Sequence, residues 1–442
     1  MPPPIPDTAK PDPPFALARA VLIGLFIVLI PFATQFLWIV DTHSPHFRYL
    51  LLGSTSTGPF DLVLASIALA SIPLFLRKKT YQGFPIGLVG VVAFCLLTLM
   101  WVIPEPTVHG VARGLRFAGI AGLVVSIRWF PKHVFRTAVI WPITASAGIQ
   151  SVWALLQTFV WHNGDRSGIT ARFDHAWTHG FGSMDGGYAL AAFLVLSVAV
   201  ILASGAFTRL HPAMWIVVGL SSLAVATTYG RLGVLALGGI AFFYIVGAIW
   251  KRSGEYLMAA ALSVLPLLMG IAVTWTAWSV RTAETAAGNQ TYRESLLSRA
   301  FAIIEQHPLT GVGPGDYGPT VARMGLPEVL TEVHVTVVHN VGVLVTAEYG
   351  IPFGILFALW IAALGIAAIL TSIRAMALFA SIVPYFIFDH THMSYVYAIA
   401  GFGLWLATLD YLRLHRNDTR DGRYGKATSD HANETPELQP AG

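Results

Sequence analysis

Long apolar runs, separated by short polar connections, follow one another over most of the chain. Runs of about 17 to 25 residues can cross the hydrocarbon of a membrane as helices, whose internal hydrogen bonds satisfy every backbone polar group. The pattern therefore predicts an all-α integral membrane protein, a bundle of about 12 transmembrane helices. The predicted spans lie near residues 15–40, 61–77, 84–103, 110–127, 137–160, 185–204, 212–228, 232–250, 255–280, 340–370, 375–389 and 394–412.

Composition supports this interpretation. Of the 442 residues 55% are hydrophobic and 11% are charged, whereas roughly a quarter of the residues of soluble proteins are charged. We therefore expect one polytopic membrane domain over residues 15–412, between polar segments 1–14 and 413–442 that are predicted to be disordered cytoplasmic tails. The single cysteine, Cys95, excludes a disulfide within the chain.

Basic residues set the expected orientation. Arg77, Lys78 and Lys79 form a dense basic cluster between spans, and by the positive-inside rule this cluster and both termini are cytoplasmic. The same topology places arginines without lysine on the outer side, where a guanidinium fork suits a phosphate or carboxylate ligand, although some could pair with loop acids. These outer arginines are Arg113, Arg116, Arg166, Arg172, Arg231, Arg281, Arg293, Arg299 and Arg323.

Three of these arginines lie close to the predicted hydrocarbon. Arg113, Arg116 and Arg231 are each flanked by apolar helix-forming residues. A cation at the centre of a membrane costs about 2.5 to 3.5 kcal/mol on insertion scales, and less near the interface. We therefore expect each of them to have a partner.

The largest polar interruption, residues 281–338, is predicted to be a periplasmic loop between spans nine and ten. It contains a short amphipathic helix that ends at His307 and Pro308, with Arg293 on the edge of its apolar face and Arg299 on its solvated face. A turn with Gly311 and Gly313 follows. This turn either folds the helix back over the bundle or cradles a phosphate, but it lacks the Lys and Ser or Thr of a nucleotide-binding loop.

Polar residues also mark the point where the chain re-enters the membrane. His339 and Asn340 stand at the first turn of the next apolar run, and Glu348 lies deeper, about 13 Å along a helix axis. His339 either caps the helix or accepts a proton from a sugar or alcohol hydroxyl. Glu348 is either functional or part of a structural hydrogen bond or ion pair between helices.

Two compact clusters could bind a metal. His175 and His179 are four residues apart beside Asp174, and residues 389–392 read DHTH. Neither completes a recognisable set of ligands, and no close carboxylate pair is visible on the outer side, so we predict no metal site.

Three sequence blocks together resemble the O-antigen ligase and polymerase superfamily of bacterial envelope enzymes. TTYGRLGVLAL contains Arg231, although Tyr-Gly precedes this arginine where Ser is more usual in the family. YRESLLSRAFAIIEQHPLTGVGPGDYG places Arg293 fifteen residues before Pro308, and HNVGVLVTAEYG begins at His339. The resemblance covers roughly residues 220–350 by motif and the whole chain by topology.

The resemblance implies a glycosyltransferase of the bacterial inner membrane that uses no nucleotide sugar, no metal ion and no other cofactor. Its donor would be a glycan on polyprenyl (undecaprenyl) pyrophosphate at the periplasmic face, and the acceptor of a ligase would be a sugar hydroxyl of the lipid A core of lipopolysaccharide. Arg231 and Arg293, together with Arg113 and Arg116, would bind and stabilise the pyrophosphate. His339 would be the base or would position the acceptor, assisted by Asn340.

Other functions remain open from the sequence. An O-antigen polymerase and a protein O-oligosaccharyltransferase would share the three blocks, because no acceptor motif is readable. An anion transporter would also explain arginines and a membrane-embedded Glu348, but no internal repeat is visible in the sequence.

Overall fold

The computed structural model describes residues 15–32, 59–77, 85–104, 108–161, 182–184, 187–207, 209–228, 230–279, 283–324, 338–388 and 396–415. Regular structure in these ranges is helical, and none of them contains a strand. This agrees with the all-α prediction. The metal candidates His175, His179 and residues 389–392 lie outside the described ranges, as do Arg166, Arg172 and Arg281.

The helices of the described residues are α1 (Ala16–Leu29), α2 (Pro59–Phe75), α3 (Ile86–Val102), α4 (Val108–Arg128), α5 (Lys132–Trp161), α6 (Gly187–Ser204), α7 (Pro212–Thr227), α8 (Arg231–Lys251), α9 (Gly254–Ser279), α10 (Ala283–Gln306), α11 (Tyr317–Arg323), α12 (Val341–Tyr349), α13 (Ile351–Thr371), α14 (Ile373–Ala380), α15 (Val383–Phe388) and α16 (Val396–Leu414). Within α5, two stretches have π-helical hydrogen bonding: Arg136–Ile140 and Gln157–Trp161.

Length and hydropathy make several of these helices candidate membrane spans. In the described ranges, six are long and apolar enough to cross a membrane: α5, α6, α8 and α13, with Gly110–Arg128 of α4 and Gly254–Ala272 of α9. Shorter apolar helices cover Ala16–Phe32, Phe60–Phe75, Ile86–Val102, Pro212–Thr227 and Ile373–Phe388. The chain therefore has the character of a multi-pass membrane protein, and the count of about 12 spans stays a prediction.

The core of the bundle lies around α6. Its sequence, GYALAAFLVLSVAVILAS, carries no charge, and nearly every residue is buried. A helix that is apolar all round is expected at the centre of a bundle. α5, α7, α8, α14 and α16 pack against it.

Charged side chains inside the bundle are held by partners. Asp410 of α16 is fully buried and accepts hydrogen bonds from the backbone N–H groups of Gly87 and Leu88, at 3.3 and 3.2 Å, where α3 begins. Arg374 of α14 contacts Glu255 of α9 at 2.7 Å. These contacts follow the rule that a buried charge is paired or hydrogen-bonded.

Two predicted single spans are each divided into two helices. The span expected over 340–370 breaks at Gly350, which has a φ of 89°, so that α12 and α13 are separate helices. The span expected over 375–389 is interrupted between α14 and α15. The apolar runs continue through both breaks, which is why the length of each run predicted one continuous helix.

The helix of the polar insert also differs from its prediction. It was expected to be short, whereas α10 has 24 residues and begins at Ala283. It ends at Gln306, immediately before His307 and Pro308, as predicted. The early part, AETAAGNQ, is polar and was therefore not recognised from an apolar face, although it is rich in residues that favour helices.

Candidate active site

The site is built around α12, whose first turn carries the predicted polar pair. Asn340 is the N-cap of α12, and its side-chain oxygen accepts a hydrogen bond from the backbone N–H of Val343 at 2.9 Å. Its side-chain nitrogen donates to the carbonyl of Ile387 in α15 at 3.0 Å. The oxygen and the nitrogen of the Asn340 amide are therefore both hydrogen-bonded to backbone groups. His339, which is half-buried, directly precedes this N-cap residue.

The glycine turn after α10 docks on the other end of α12. The backbone N–H groups of Val312 and Gly313 donate to the carbonyls of Ala347 and Glu348 at 3.0 and 2.9 Å. Gly311 has a φ of 66°, and a Cβ at this position would overlap the carbonyl of Glu348. The turn therefore folds α10 back onto α12, one of the two alternatives that the sequence left open.

The amide groups of this turn point at protein. Val312 and Gly313 direct their N–H groups at the backbone of α12. A phosphate cradle needs such N–H groups facing its ligand. In this arrangement the two N–H groups bind α12 instead.

A buried ion pair lies beneath the turn. Arg113 of α4 and Glu348 of α12, 5% and 2% exposed, form a salt bridge. Tyr349, the next residue of α12, has its hydroxyl 2.9 Å from the Thr98 hydroxyl of α3. The expectation that Arg113 has a partner is confirmed. Glu348 forms an ion pair between helices, one of the alternatives that the sequence left open.

Arg116 pairs with a different helix. Its Nε lies 2.9 Å from Oδ1 of Asp61 in α2, and its second terminal nitrogen lies 3.3 Å from Oδ2. This is the fork geometry in which arginine binds a carboxylate with two hydrogen bonds. Both arginines of α4 that we expected to bind pyrophosphate therefore engage carboxylates of the protein itself.

Arg231 occupies a different position, at the start of a helix. It is the first residue of α8 and is exposed, and Gly230 precedes it in an extended conformation. The N-terminus of a helix carries a positive partial charge, so the guanidinium and the helix end favour an anion at the same place.

The short helix α15 connects the starts of α8 and α12. α15 packs against both helices. Its Ile387 carbonyl receives the hydrogen bond from Asn340, and a Cβ at Gly233 of α8 would lie 3.4 Å from the hydroxyl of Tyr385. The blocks that contain Arg231 and His339 are therefore joined through one element.

Arg293 lies on α10 beside the buried residues of this helix. Leu296, Ala300 and Ile303 are buried, whereas Arg293 is exposed. α10 packs against α12 and continues into the docked turn, so Arg293 belongs to the same assembly. Arg299, which we placed on the solvated face, is half-buried.

Sequence reasoning missed three participants in this assembly. Tyr349 and Thr98 complete the shell of the ion pair, and Asp61 holds Arg116. Tyr349 was within reach of a sequence argument, because it lies beside Glu348 in the same block. Thr98 and Asp61 had no signal, because their role depends on how distant helices pack. Among the described residues no group of three or more His, Cys, Asp or Glu side chains could hold a metal ion.

A comparison with protein-family models gives a match. Residues 216–358 match the family model described as O-antigen ligase. This range contains the starts of α8 and α12, all of α10 and the docked glycine turn. No curated protein matches the chain.

Proposed function

Because the chain belongs to the O-antigen ligase family through its residues 216–358, we propose that it transfers a glycan from polyprenyl pyrophosphate to a sugar hydroxyl of the lipid A core. The reaction takes place at the periplasmic face of the bacterial inner membrane. The observation that supports this proposal is the assembly around α12. His339 precedes α12, Arg293 lies on α10, which packs on α12, and Arg231 begins α8, which α15 joins to α12.

The proposed chemistry is a single displacement at the anomeric carbon of the donor glycan. The acceptor hydroxyl forms a new bond to this carbon while the bond from carbon to the pyrophosphate oxygen breaks. The hydroxyl proton passes to His339, and polyprenyl pyrophosphate leaves as the anion. A neutral imidazole can accept such a proton as a general base.

The leaving pyrophosphate needs positive charge as its bond to the sugar breaks. Arg231 and Arg293 are exposed, on α8 and α10, and we assign them this role. Preorganised donors of this kind stabilise developing charge without reorganising during the reaction. The position of Arg231 at a helix N-terminus adds to its suitability for an anion.

Asn340 serves the reaction indirectly in this proposal. Its amide is occupied by Val343 and Ile387, so it fixes the start of α12 and thereby the backbone of His339. Arg113 and Arg116, held by Glu348 and Asp61, support the site from the bundle.

The test is a transfer reaction with purified protein in detergent. The donor is a polyprenyl-pyrophosphate-linked glycan, the acceptor is lipid A core, EDTA is present, and the acceptor is analysed for a gain in size. We expect the gain with the wild-type protein and with His133→Ala, an exposed histidine at the start of α5. His339→Ala should abolish it.

Other outcomes would change the assignment. Lengthening of the donor glycan, with no change of the acceptor, would mean an O-antigen polymerase. Loss of transfer in EDTA would overturn the metal-free mechanism. Equal transfer by His339→Ala and the wild-type protein would remove His339 from the chemistry.

A further inference from the structure

The C-terminal end of α12 is the place where three parts of the fold meet at one residue. The Glu348 carboxylate pairs with Arg113 of α4. The Glu348 backbone carbonyl accepts from the Gly313 N–H. Side chain and backbone of one residue thus hold α4, α12 and the glycine turn in a single arrangement.

Stability alone is a poor explanation for this pair. A buried ion pair can often be replaced by well-packed apolar residues without loss of stability, whereas removal of one partner leaves a buried charge and is strongly destabilising. A pair with directional hydrogen bonds does, however, fix the register of the elements that it joins. Here it fixes α12 relative to α4, and the glycine turn follows because it is hydrogen-bonded to the backbone of α12.

The pair is distant from the proposed chemistry but is connected to it by rigid elements. α12 has nine residues, and His339 precedes its cap at the end opposite Glu348. α10, with Arg293, runs into the turn that docks on Glu348. A shift at Glu348 would therefore displace His339 and Arg293 relative to each other.

We propose that Arg113 and Glu348 are positioning residues, which set the distance between the base on α12 and the arginine on α10, and that Arg113 is not a ligand of the pyrophosphate. This inference rests on the proposed function for the roles of His339 and Arg293. Misplacement of reacting groups by about 1 Å can cost roughly 100-fold in rate. The pair should therefore affect kcat more than substrate binding.

The first test measures kcat and donor KM for Glu348→Gln, Arg113→Met and the double variant. We expect each single change to lower kcat roughly 10- to 100-fold, with donor KM within about twofold of wild type. The double variant should lose about as much as the more impaired single variant, because the two residues act as one unit. Glu255→Gln, which breaks the ion pair to Arg374, is the matched control and should keep wild-type kcat.

Some results would overturn the proposal. A raised donor KM for Arg113→Met, with Glu348→Gln unaffected, would make Arg113 a direct ligand. If the kcat losses of the two single variants multiply in the double variant, the residues do not act as one unit and the positioning role is refuted. A wild-type kcat for both single variants would also refute it. If the single variants do not fold, Arg113→Met with Glu348→Leu leaves no unpaired charge, and a wild-type kcat for it would also refute the proposal.

A second measurement is independent of activity. In a Cys95→Ser background, spin labels at Leu115→Cys on α4 and Phe301→Cys on α10, both exposed positions, report the distance between the two helices. We expect a narrow distribution with the pair intact and a broadened or shifted one with Glu348→Gln. An unchanged distribution would refute the positioning role. Absence of glycan transfer by the wild-type protein would instead refute the proposed function and leave this distance test valid.

Discussion

Arg231 is an exposed residue at the N-terminus of α8, and its substitution tests whether this position serves the leaving group. We expect Arg231→Ala to lower kcat about 100- to 1,000-fold, the usual cost of removing one donor to a developing anion. Arg231→Lys should recover only part of this loss, because a lysine ammonium cannot bind two oxygens in the fork geometry.

The control for this prediction is Arg252→Ala, an exposed arginine at the opposite end of the same helix. Its kcat should equal that of the wild-type protein. Full activity of Arg231→Lys would show that only charge matters at this position, and full activity of Arg231→Ala would contradict the assigned role.

Asn340 offers a comparison between two hydrogen bonds of one side chain. Asn340→Asp keeps the oxygen that caps α12 but loses the nitrogen that donates to Ile387, whereas Asn340→Ala loses both. Loss of an N-cap costs about 0.5 to 2 kcal/mol. We expect thermal unfolding in detergent to rank wild type above Asn340→Asp and Asn340→Ala lowest. Equal midpoints for Asn340→Ala and the wild-type protein would contradict the capping role.

At the scale of elements, docking of the glycine turn on α12 requires Gly311. Its positive φ and the nearby Glu348 carbonyl leave no room for a Cβ, and a strained backbone of this kind costs about 1 to 3 kcal/mol. We therefore expect Gly311→Ala to lower the unfolding midpoint and to release the turn from α12. Limited proteolysis between α10 and α11 would report this release as faster cleavage.

Gly254→Ala is the matched control for the turn. No atom lies within 4 Å of the position that its Cβ would take, so the substitution should leave stability and cleavage unchanged. Similar effects of the two glycine substitutions would contradict a specific requirement at Gly311.

The elements also show how far the sequence predicts this fold. Uniform apolar runs predicted α6 and α8 well, because a long uncharged run has few alternatives in a membrane. The break between α12 and α13 was not predictable, because it depends on a turn forty residues earlier that docks at Gly350. The sequence also marked Glu348 and Arg113 as charged residues close to the membrane interior. It could not predict that they pair with each other, because this depends on how distant helices pack.

At the scale of the whole molecule, the orientation in the membrane decides which substrates the site can reach. The topology predicted from basic residues puts the turn after α10 in the periplasm and the connection between α8 and α9 in the cytoplasm. In a Cys95→Ser background, Leu309→Cys, at an exposed position, should react with a membrane-impermeant maleimide in intact spheroplasts. Arg252→Cys should react only after lysis, and the opposite pattern would place the site on the cytoplasmic side.

The central claim is that glycan leaves polyprenyl pyrophosphate and arrives on lipid A core in one reaction. The most direct measurement is mass spectrometry of both products after incubation of the purified protein with donor and acceptor, compared with His339→Ala. We predict glycosylated acceptor and free polyprenyl pyrophosphate in equal amounts, both absent from the variant. Release of polyprenyl pyrophosphate without a modified acceptor, or no release at all by the wild-type protein, would contradict the ligase assignment.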